Sequence, residues 1–184
     1  MSNERAACHC VICHDYGDRG EATALDEHTV RHVQDHGWSV VMVPADEQGP
    51  GFAYTVGLLH SHGVPELAMF GLDVQLMHAL LNELGRQAAD GTALEDGGTY
   101  EGVIEGRSVA LRAAKRGWYR EFFGRAIAFY RKPPLPVLQV VWPDAENRFV
   151  WEPTADPRFE DSQPRLWMTP DEHPAGVWAT LVGR

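Results

Sequence analysis

The sequence predicts an α+β domain, with a mainly antiparallel sheet of about six or seven strands and three helices packed on one face of it. Short stretches that alternate in side-chain size predict the strands. Two pairs of such stretches are separated by only a few turn residues, which indicates antiparallel hairpins. Longer stretches with apolar residues at helical spacing predict the helices. The hairpins interrupt the regular alternation of strand and helix that a doubly wound fold requires.

The stretch around which the domain is organised is Gly51-Phe-Ala-Tyr-Thr-Val-Gly-Leu-Leu59. It predicts a strand over 52–58, since side chains alternate between the two faces of a strand. One face carries the large residues Phe52, Tyr54, Val56 and Leu58, and the other carries the small residues Ala53, Thr55 and Gly57. A glycine inside a strand permits close approach, so we expect the small face to be covered by a helix over 74–90 or by a ligand.

The other elements of the first half follow from local signals. Thr23-Ala-Leu-Asp26 has the spacing of a capping box and predicts a helix that ends at His36-Gly37. The apolar runs Trp38–Val43 and Glu66–Phe70 predict strands, the first of them central in the sheet. Asp73 is an N-cap residue, and the periodic leucines after it predict the helix over 74–90.

In the second half, Tyr100–Ile104 and Arg107–Ala113 flank Glu105-Gly106 and predict a hairpin. Trp118–Tyr130 is aromatic on one side and predicts a third helix, which the following proline pair stops. Pro136–Trp142 and Arg148–Trp151 predict a second hairpin.

The chain has 184 residues, of which 44% are apolar, as expected of one globular domain. We predict a Cys/His-rich segment over 1–21, a single α+β domain over 22–152, and an irregular Pro-rich and acidic tail over 153–184. No apolar run is long enough to span a membrane, and no signal peptide opens the chain, so we expect a cytoplasmic protein. The net charge of −10 argues against general nucleic-acid binding.

The cysteines form the first candidate site. All three lie within Cys8–Cys13, and an odd number so closely spaced predicts reduced thiols rather than a disulfide framework. The two-residue gap between Cys10 and Cys13 lets both sulfurs bind one zinc ion, with Cys8 near enough to be a third ligand. A fourth ligand would be a histidine. His9 and His14 are available, but sequence neighbours rarely both reach one metal, so a distant histidine such as His60 or His62 fits better. The alternative is a flexible N-terminus that carries unpaired thiols.

A second candidate is formed by His28, His32 and His36, which recur every four residues on one helix. Imidazoles at this spacing share a face and can bind a metal. Their face lies largely away from Val30 and Val33, so the favoured interpretation is a solvated surface.

The third candidate is a basic segment. Seven of the 16 Lys and Arg residues lie within 112–132, interleaved with aromatic residues and opposed there only by Glu121. Guanidinium groups suit carboxylates and phosphates, so the segment predicts a site for an anion. Its expected residues are Arg116, Trp118, Tyr119 and Arg120, with Tyr54 and Thr55 as further pocket-lining candidates. The alternative is an amphipathic helix with its aromatics inward and its basic residues in solvent.

Four motifs also resemble a known family: Gly51–Leu59, Val64-Pro-Glu-Leu67, Phe70-Gly-Leu72 and Pro136-Val-Leu-Gln-Val-Val-Trp-Pro-Asp144. They are similar to the bacterial domain of unknown function 4262 family, and the resemblance runs from the Cys-rich start to about Trp167. It implies no activity, cofactor or partner.

Two functions are consistent with these residues. The first is a cytoplasmic binding module for an anionic small ligand or an acidic partner surface at the basic aromatic helix. The alternative is a metal-dependent enzyme in which Cys10, Cys13 and a distant histidine hold the metal. An enzyme should keep an open coordination position beside a cleft, whereas a binding module should have peripheral thiols or a closed structural site. No phosphate-binding loop, nucleophile elbow or dinucleotide fingerprint is present in the sequence.

Overall fold

A computed structural model describes residues 8–182 and contains a six-stranded sheet with the order β1-β2-β3-β6-β5-β4. The strands are β1 Ser39–Val43, β2 Phe52–Val56, β3 Glu66–Phe70, β4 Thr99–Ile104, β5 Arg107–Ala113 and β6 Val137–Val141. Neighbouring strands are antiparallel except β3 and β6, which pair in parallel. The fold is therefore α+β with a mostly antiparallel sheet, as predicted. Residues 1–7 of the predicted N-terminal segment and residues 183–184 of the predicted tail lie outside the described residues.

The helices of the described part are α1 Ala24–His36, α2 Leu58–His62, α3 Val74–Ala89, α4 Tyr119–Phe122 and α5 Gly124–Tyr130. Both predicted caps are present. Thr23 and Asp26 form a reciprocal capping box at α1, and the Asp73 side chain accepts hydrogen bonds from Gln75 N and Leu76 N at α3. These caps supply partners for N–H groups that have none inside the helix. No helix among the described residues is both long and apolar enough to cross a membrane.

Helices cover both faces of the sheet, and not one face as the sequence suggested. On one face, α3 buries Met77, Leu81 and Leu84 against the sheet. The other face packs against α1, α4, α5 and part of the C-terminal tail in a largely aromatic core. The two central strands show this, because every residue of β3 and β6 is buried. Their two polar residues, Glu66 and Gln139, have buried hydrogen-bond partners.

The organising strand ends earlier than predicted. β2 stops at Val56, and Gly57 adopts φ +113° as the N-cap of α2. Only glycine reaches this left-handed region at low cost, so the residue ends the strand instead of extending its small face. Ala53 and Thr55 are fully buried, and Ala53 packs in the same core cluster as the residues of α3. The prediction that α3 covers this face is therefore confirmed for the strand itself.

Three other predictions differ. The strand β1 lies at the edge of the sheet and not at its centre, and it is only partly buried. The helix over 118–130 is interrupted at Phe123, whose φ of −114° and ψ of 34° separate α4 from α5. The predicted strand Arg148–Trp151 does not form. Instead, Asp144 Oδ1 accepts hydrogen bonds from Glu146 N and Arg148 N, each at 2.9 Å, so the chain turns locally and makes no ladder.

The predicted tail packs against the domain. Over 153–182 it contains one short 3₁₀-helix, Pro157–Phe159, and otherwise turns and irregular backbone. Leu166 and Trp178 are buried in the core, and the side chain of Gln139 in β6 bonds to Pro164 O and Leu166 N at 2.7 and 3.0 Å.

Candidate metal centre

Three thiols and one imidazole converge at the edge of the aromatic core. Cys10 Sγ and Cys13 Sγ each lie 3.3 Å from His60 Nδ1, and Cys8 Sγ lies 3.8 Å from the same atom. The four potential ligand atoms all lie within 4.8 Å of one another. All three cysteines are free thiols. The cluster therefore has the residue types and the spacing that can hold one metal ion.

These separations agree with a tetrahedral site. Metal–sulfur bonds of about 2.3 Å and a metal–nitrogen bond of about 2.0–2.1 Å place the sulfur and nitrogen atoms about 3.6 Å apart at tetrahedral angles. The three sulfur–nitrogen distances are 3.3, 3.3 and 3.8 Å, so His60 Nδ1 already lies close to tetrahedral spacing from each sulfur.

The N-terminal segment is positioned by packing and by backbone hydrogen bonds. Val11 N donates to Phe129 O at 2.9 Å, which joins the segment to α5. Val11 and Ile12 pack against the aromatic core, and Cys10 is fully buried. His14 N donates to Cys10 O at 3.0 Å and tightens the turn that brings Cys10 and Cys13 together.

His60 is positioned by a buried polar network behind α2. Glu66 Oε1 accepts hydrogen bonds from Gly57 N at 3.0 Å and Leu59 N at 3.1 Å, at the start of this short helix. The Tyr130 hydroxyl donates to the same carboxylate oxygen and accepts from His60 N at 3.3 Å. Because this network holds the backbone from Gly57 to His60, it fixes the direction from which the imidazole enters the cluster.

The same network includes the polar residue of β2. Thr55 Oγ1 donates to Glu66 Oε2 at 2.6 Å and accepts from Leu67 N at 2.9 Å. Burial raises the pKa of Glu66, and its hydrogen-bond donors oppose that rise by stabilising the carboxylate. Burial and the neighbouring Glu66 both raise the pKa of Tyr130, so its hydroxyl keeps the proton that it donates.

Burial also favours the uncharged forms of two thiols and the imidazole in the cluster. It raises the pKa of the Cys8 thiol to about 12, raises that of Cys13, and lowers that of His60. Each shift reflects the cost of a charge that nothing balances in a partly buried site. A divalent cation would supply the balance, because thiols lose their protons when they coordinate a metal.

Four of the predicted metal ligands come together, and His14 and His62 stay outside the cluster. His14 Nε2 is 2.9 Å from the backbone carbonyl of Cys8, and the His62 ring packs edge-on against Trp38 with the ring centres 5.8 Å apart. The α1 histidines form no metal cluster among residues 8–182. His28 and His36 are exposed, in line with the solvated surface favoured above.

The predicted anion-binding residues are dispersed. Arg116 and Arg120 are exposed, whereas Trp118 is fully buried and donates from Nε1 to Met168 O at 2.8 Å. Tyr119 is half-buried, with its ring centre 5.5 Å from that of Phe123. The aromatic side chains thus fill the core while the guanidinium groups reach solvent, which is the arrangement of the amphipathic alternative.

Tyr54 and Thr55 also have structural partners. The Tyr54 hydroxyl accepts from Arg125 N at 3.3 Å, and both residues are almost completely buried. They are therefore unavailable as pocket-lining residues.

Sequence reasoning did not find the roles of Glu66 and Tyr130. A glutamate within the otherwise apolar run Glu66–Phe70 is a signal that it has buried donors to satisfy. Nothing in the sequence relates it to Tyr130, since 64 residues separate the two.

The fold and the cluster define an α+β domain with a Cys₃His group that can hold a metal ion. The chain belongs to the family described as Domain of unknown function (DUF4262), which it matches over residues 32–156. The match contains His60, Glu66 and Tyr130 but none of the cysteines, and it is shorter than the motif resemblance suggested. No curated protein and no solved structure matches the chain.

Proposed function

We propose that Cys8, Cys10, Cys13 and His60 bind one zinc ion, and that the protein is a binding module whose N-terminal segment this ion holds in place. The observation that carries the proposal is the convergence of four ligand atoms within 4.8 Å of one another. Because His60 lies 52 residues from Cys8 in sequence, convergence of these residues is a property of the fold and not of a local motif.

The ligand chemistry favours zinc. Thiolates are soft ligands that select zinc, copper(I) or iron–sulfur clusters, and imidazole suits zinc well. Cys₃His is a common ligand set of structural zinc sites. A cytoplasmic location belongs to the same proposal, because a reducing compartment keeps free thiols available for a metal.

The number of ligands favours a structural role over the alternative of a metal-dependent enzyme. Four protein ligands complete a tetrahedral shell, whereas catalytic zinc sites usually have three and leave one position for water or substrate. Cys10 is buried, Cys8 is partly buried and Cys13 is exposed, and the Tyr130 hydroxyl donates to Glu66 behind His60. The support for a closed site is therefore the set of four protein ligands, which leaves no open coordination position for a substrate.

The zinc ion would fasten residues 8–14 to the domain. The described contacts of this segment with α5 include one backbone hydrogen bond, from Val11 N to Phe129 O, and apolar packing of Val11 and Ile12. A metal that binds only the folded state adds its binding free energy to folding. Its removal is therefore expected to release the segment first.

We further propose that the module binds an anionic small molecule. The support is the unequal charge distribution, since seven of the 16 Lys and Arg residues lie within 112–132 of a chain with net charge −10. An acidic partner surface is the other form that such a ligand can take, and the exposed Arg116 and Arg120 are accessible to it.

Metal analysis of protein purified without an affinity tag tests the zinc site. We expect about one zinc ion per chain, and we expect His60→Ala and the double change Cys10→Ser with Cys13→Ser to lose it. His62→Ala is the matched control, because it removes an imidazole from the same helix without touching the cluster. Metal-free protein whose three thiols all react freely with a thiol reagent would refute the zinc site.

A further inference from the structure

A cleft of about 560 Å³ lies between the N-terminal segment, α1 and α5. This volume falls in the range that suits a small organic molecule. Three separate parts of the chain line it: Val11 to Ala22 before α1, Asp26 to Gln34 in α1, and Arg125 to Arg131 at α5. The cleft is distinct from the metal cluster, although Val11 and Ile12 lie between two of the proposed zinc ligands.

Part of the lining is apolar. Val11, Ile12, Val30 and Phe129 all line the cleft, and each packs in or against the aromatic core of the domain. Such a surface favours an apolar ligand body, because binding removes apolar area on both sides from water. Ala128 also lines the cleft and is exposed, which leaves room above it.

Two of the four arginines that line the cleft have no ion pair among the described residues. Arg131 pairs with Asp18 at 2.7 Å, and Arg19 lies 3.7 Å from Asp15. Arg31 of α1 and Arg125 of α5 make no such pair within residues 8–182. Arg125 is also half-buried, so its charge is less well hydrated than that of an arginine on an open surface.

Four carboxylates also line the cleft, and two of them already have partners in the protein. Asp18 is engaged by Arg131, and Asp26 Oδ2 accepts from Thr23 N and Thr23 Oγ1 at 3.1 and 2.6 Å. Glu21 and Glu27 are exposed and hydrated. Arg31 is exposed as well, so Arg125 is the less hydrated of the two guanidinium groups. The Thr23 hydrogen bonds and, to a smaller extent, the Arg125 charge lower the pKa of Asp26, so a ligand carboxylate would share this arginine with Asp26.

We infer that this cleft binds a small amphipathic anion, with its apolar body against Val11, Ile12 and Phe129 and its carboxylate at Arg125 and Arg31. A guanidinium fork suits a carboxylate because it can donate two parallel hydrogen bonds. The inference keeps the anionic ligand of the proposed function and moves it from Arg116 and Arg120 to Arg125 of the same basic segment and Arg31 of α1. It rests on the proposed zinc site in one respect, since the ion would hold the loop that carries Val11 and Ile12.

Octanoate is the probe, and 1-octanol is its uncharged counterpart. Titration of zinc-loaded protein by calorimetry, with backbone NMR shifts as the reporter of location, should show saturable binding of octanoate. The shifts should map to Val11, Val30 and Phe129. Octanol should bind at least about tenfold more weakly, because it lacks the charge-assisted hydrogen bonds to arginine.

Variants separate charge from shape. Arg125→Gln should weaken octanoate binding by about tenfold or more, whereas Arg120→Gln, an exposed residue of the adjoining helix, should leave it unchanged. Ala128→Trp should fill the cleft and block both probes without altering its charge. Both variants of the cleft should retain one zinc ion per chain and the wild-type unfolding midpoint, which shows that the fold is intact.

The outcomes distinguish this site from the zinc site. Zinc-loaded protein that does not bind octanoate, or that binds octanoate and octanol equally, overturns the cleft proposal and leaves the zinc proposal standing. Octanoate binding that is unaffected by Arg125→Gln and by Ala128→Trp also overturns it. Arg125-dependent octanoate binding by protein that contains no metal supports the cleft and shows that the ion is not needed to form it, while metal analysis and thiol reactivity test the zinc site separately.

Discussion

Substitution of alanine for Gly57 tests how the organising strand is joined to the helix that carries His60. Gly57 has φ +113° and is the N-cap of α2. A Cβ atom at this position would lie 2.8 and 2.9 Å from the two γ-carbons of Val33 and 3.0 Å from Gly37 O. The change therefore combines an unfavourable backbone conformation with a clash against α1.

The expected cost is the sum of these two effects. A non-glycine residue in the left-handed region costs roughly 1–2 kcal/mol. Overpacking of a filled interior typically costs about 1–3 kcal/mol more, since the Gly37 carbonyl belongs to the backbone and cannot rotate away. Gly57→Ala should thus reduce the free energy of unfolding by about 2–5 kcal/mol, a large share of the stability of a domain.

Gly63→Ala is the matched control. Gly63 is the C-cap of the same helix and has φ +68°, and a Cβ atom at this position would have no neighbour within 4 Å. Gly63→Ala should therefore reduce the free energy of unfolding only by the cost of the left-handed backbone conformation. Urea unfolding of both variants and of wild type, followed by tryptophan fluorescence, measures the difference. If Gly57→Ala costs no more than Gly63→Ala, the close contact between Gly57 and α1 is wrong.

Two further predictions concern buried polar groups. Tyr130→Phe removes the acceptor of His60 N and should cost about 1–3 kcal/mol in urea unfolding and weaken metal binding, and unchanged stability would contradict the role of the hydroxyl. Burial alone would raise the pKa of Asp144, but backbone N–H groups and the Arg148 side chain outweigh it and lower this pKa to about 2. Since the unfolded value is about 3.9, ionised Asp144 stabilises the fold above about pH 4, and this contribution is lost as the pH falls towards 2. The urea midpoint of wild type should therefore fall more steeply over that interval than that of Asp144→Asn, and equal slopes would contradict the assignment.

Local signals predicted most of the fold. Thr23 and Asp73 cap their helices as expected, because a cap depends on residues only a few positions away. Six of the predicted strands form, since alternation and apolar runs report burial directly.

The errors occurred where one sequence pattern is compatible with two backbone conformations. Gly57 continues the small-residue alternation of β2 but in fact ends it with a positive φ. Phe123 fits an amphipathic helix in sequence, yet its backbone separates α4 from α5. Asp144 draws the following residues into a turn with its side chain, and the hydrophobic pattern of 148–151 does not report that competition.

The candidate sites were harder to predict than the fold because they depend on tertiary pairing. The cysteines gave half of a metal site, and several histidines remained open as the fourth ligand until the fold placed His60 beside them. The basic segment was recognised, but the direction of its side chains was not, so buried Trp118 was grouped with exposed Arg116. The cleft was not predicted, since its lining comes from three separate parts of the chain.

X-ray absorption at the zinc edge of protein purified without an affinity tag tests the proposed zinc site most directly. A closed Cys₃His site should contain one zinc ion per chain with three sulfur neighbours at about 2.3 Å and one nitrogen neighbour at about 2.0–2.1 Å. His60→Ala should lose the nitrogen neighbour or the ion, and His62→Ala should leave the spectrum unchanged. A first shell with an added water oxygen and fewer than four protein ligands would contradict a closed site, and protein without zinc would contradict the zinc site itself.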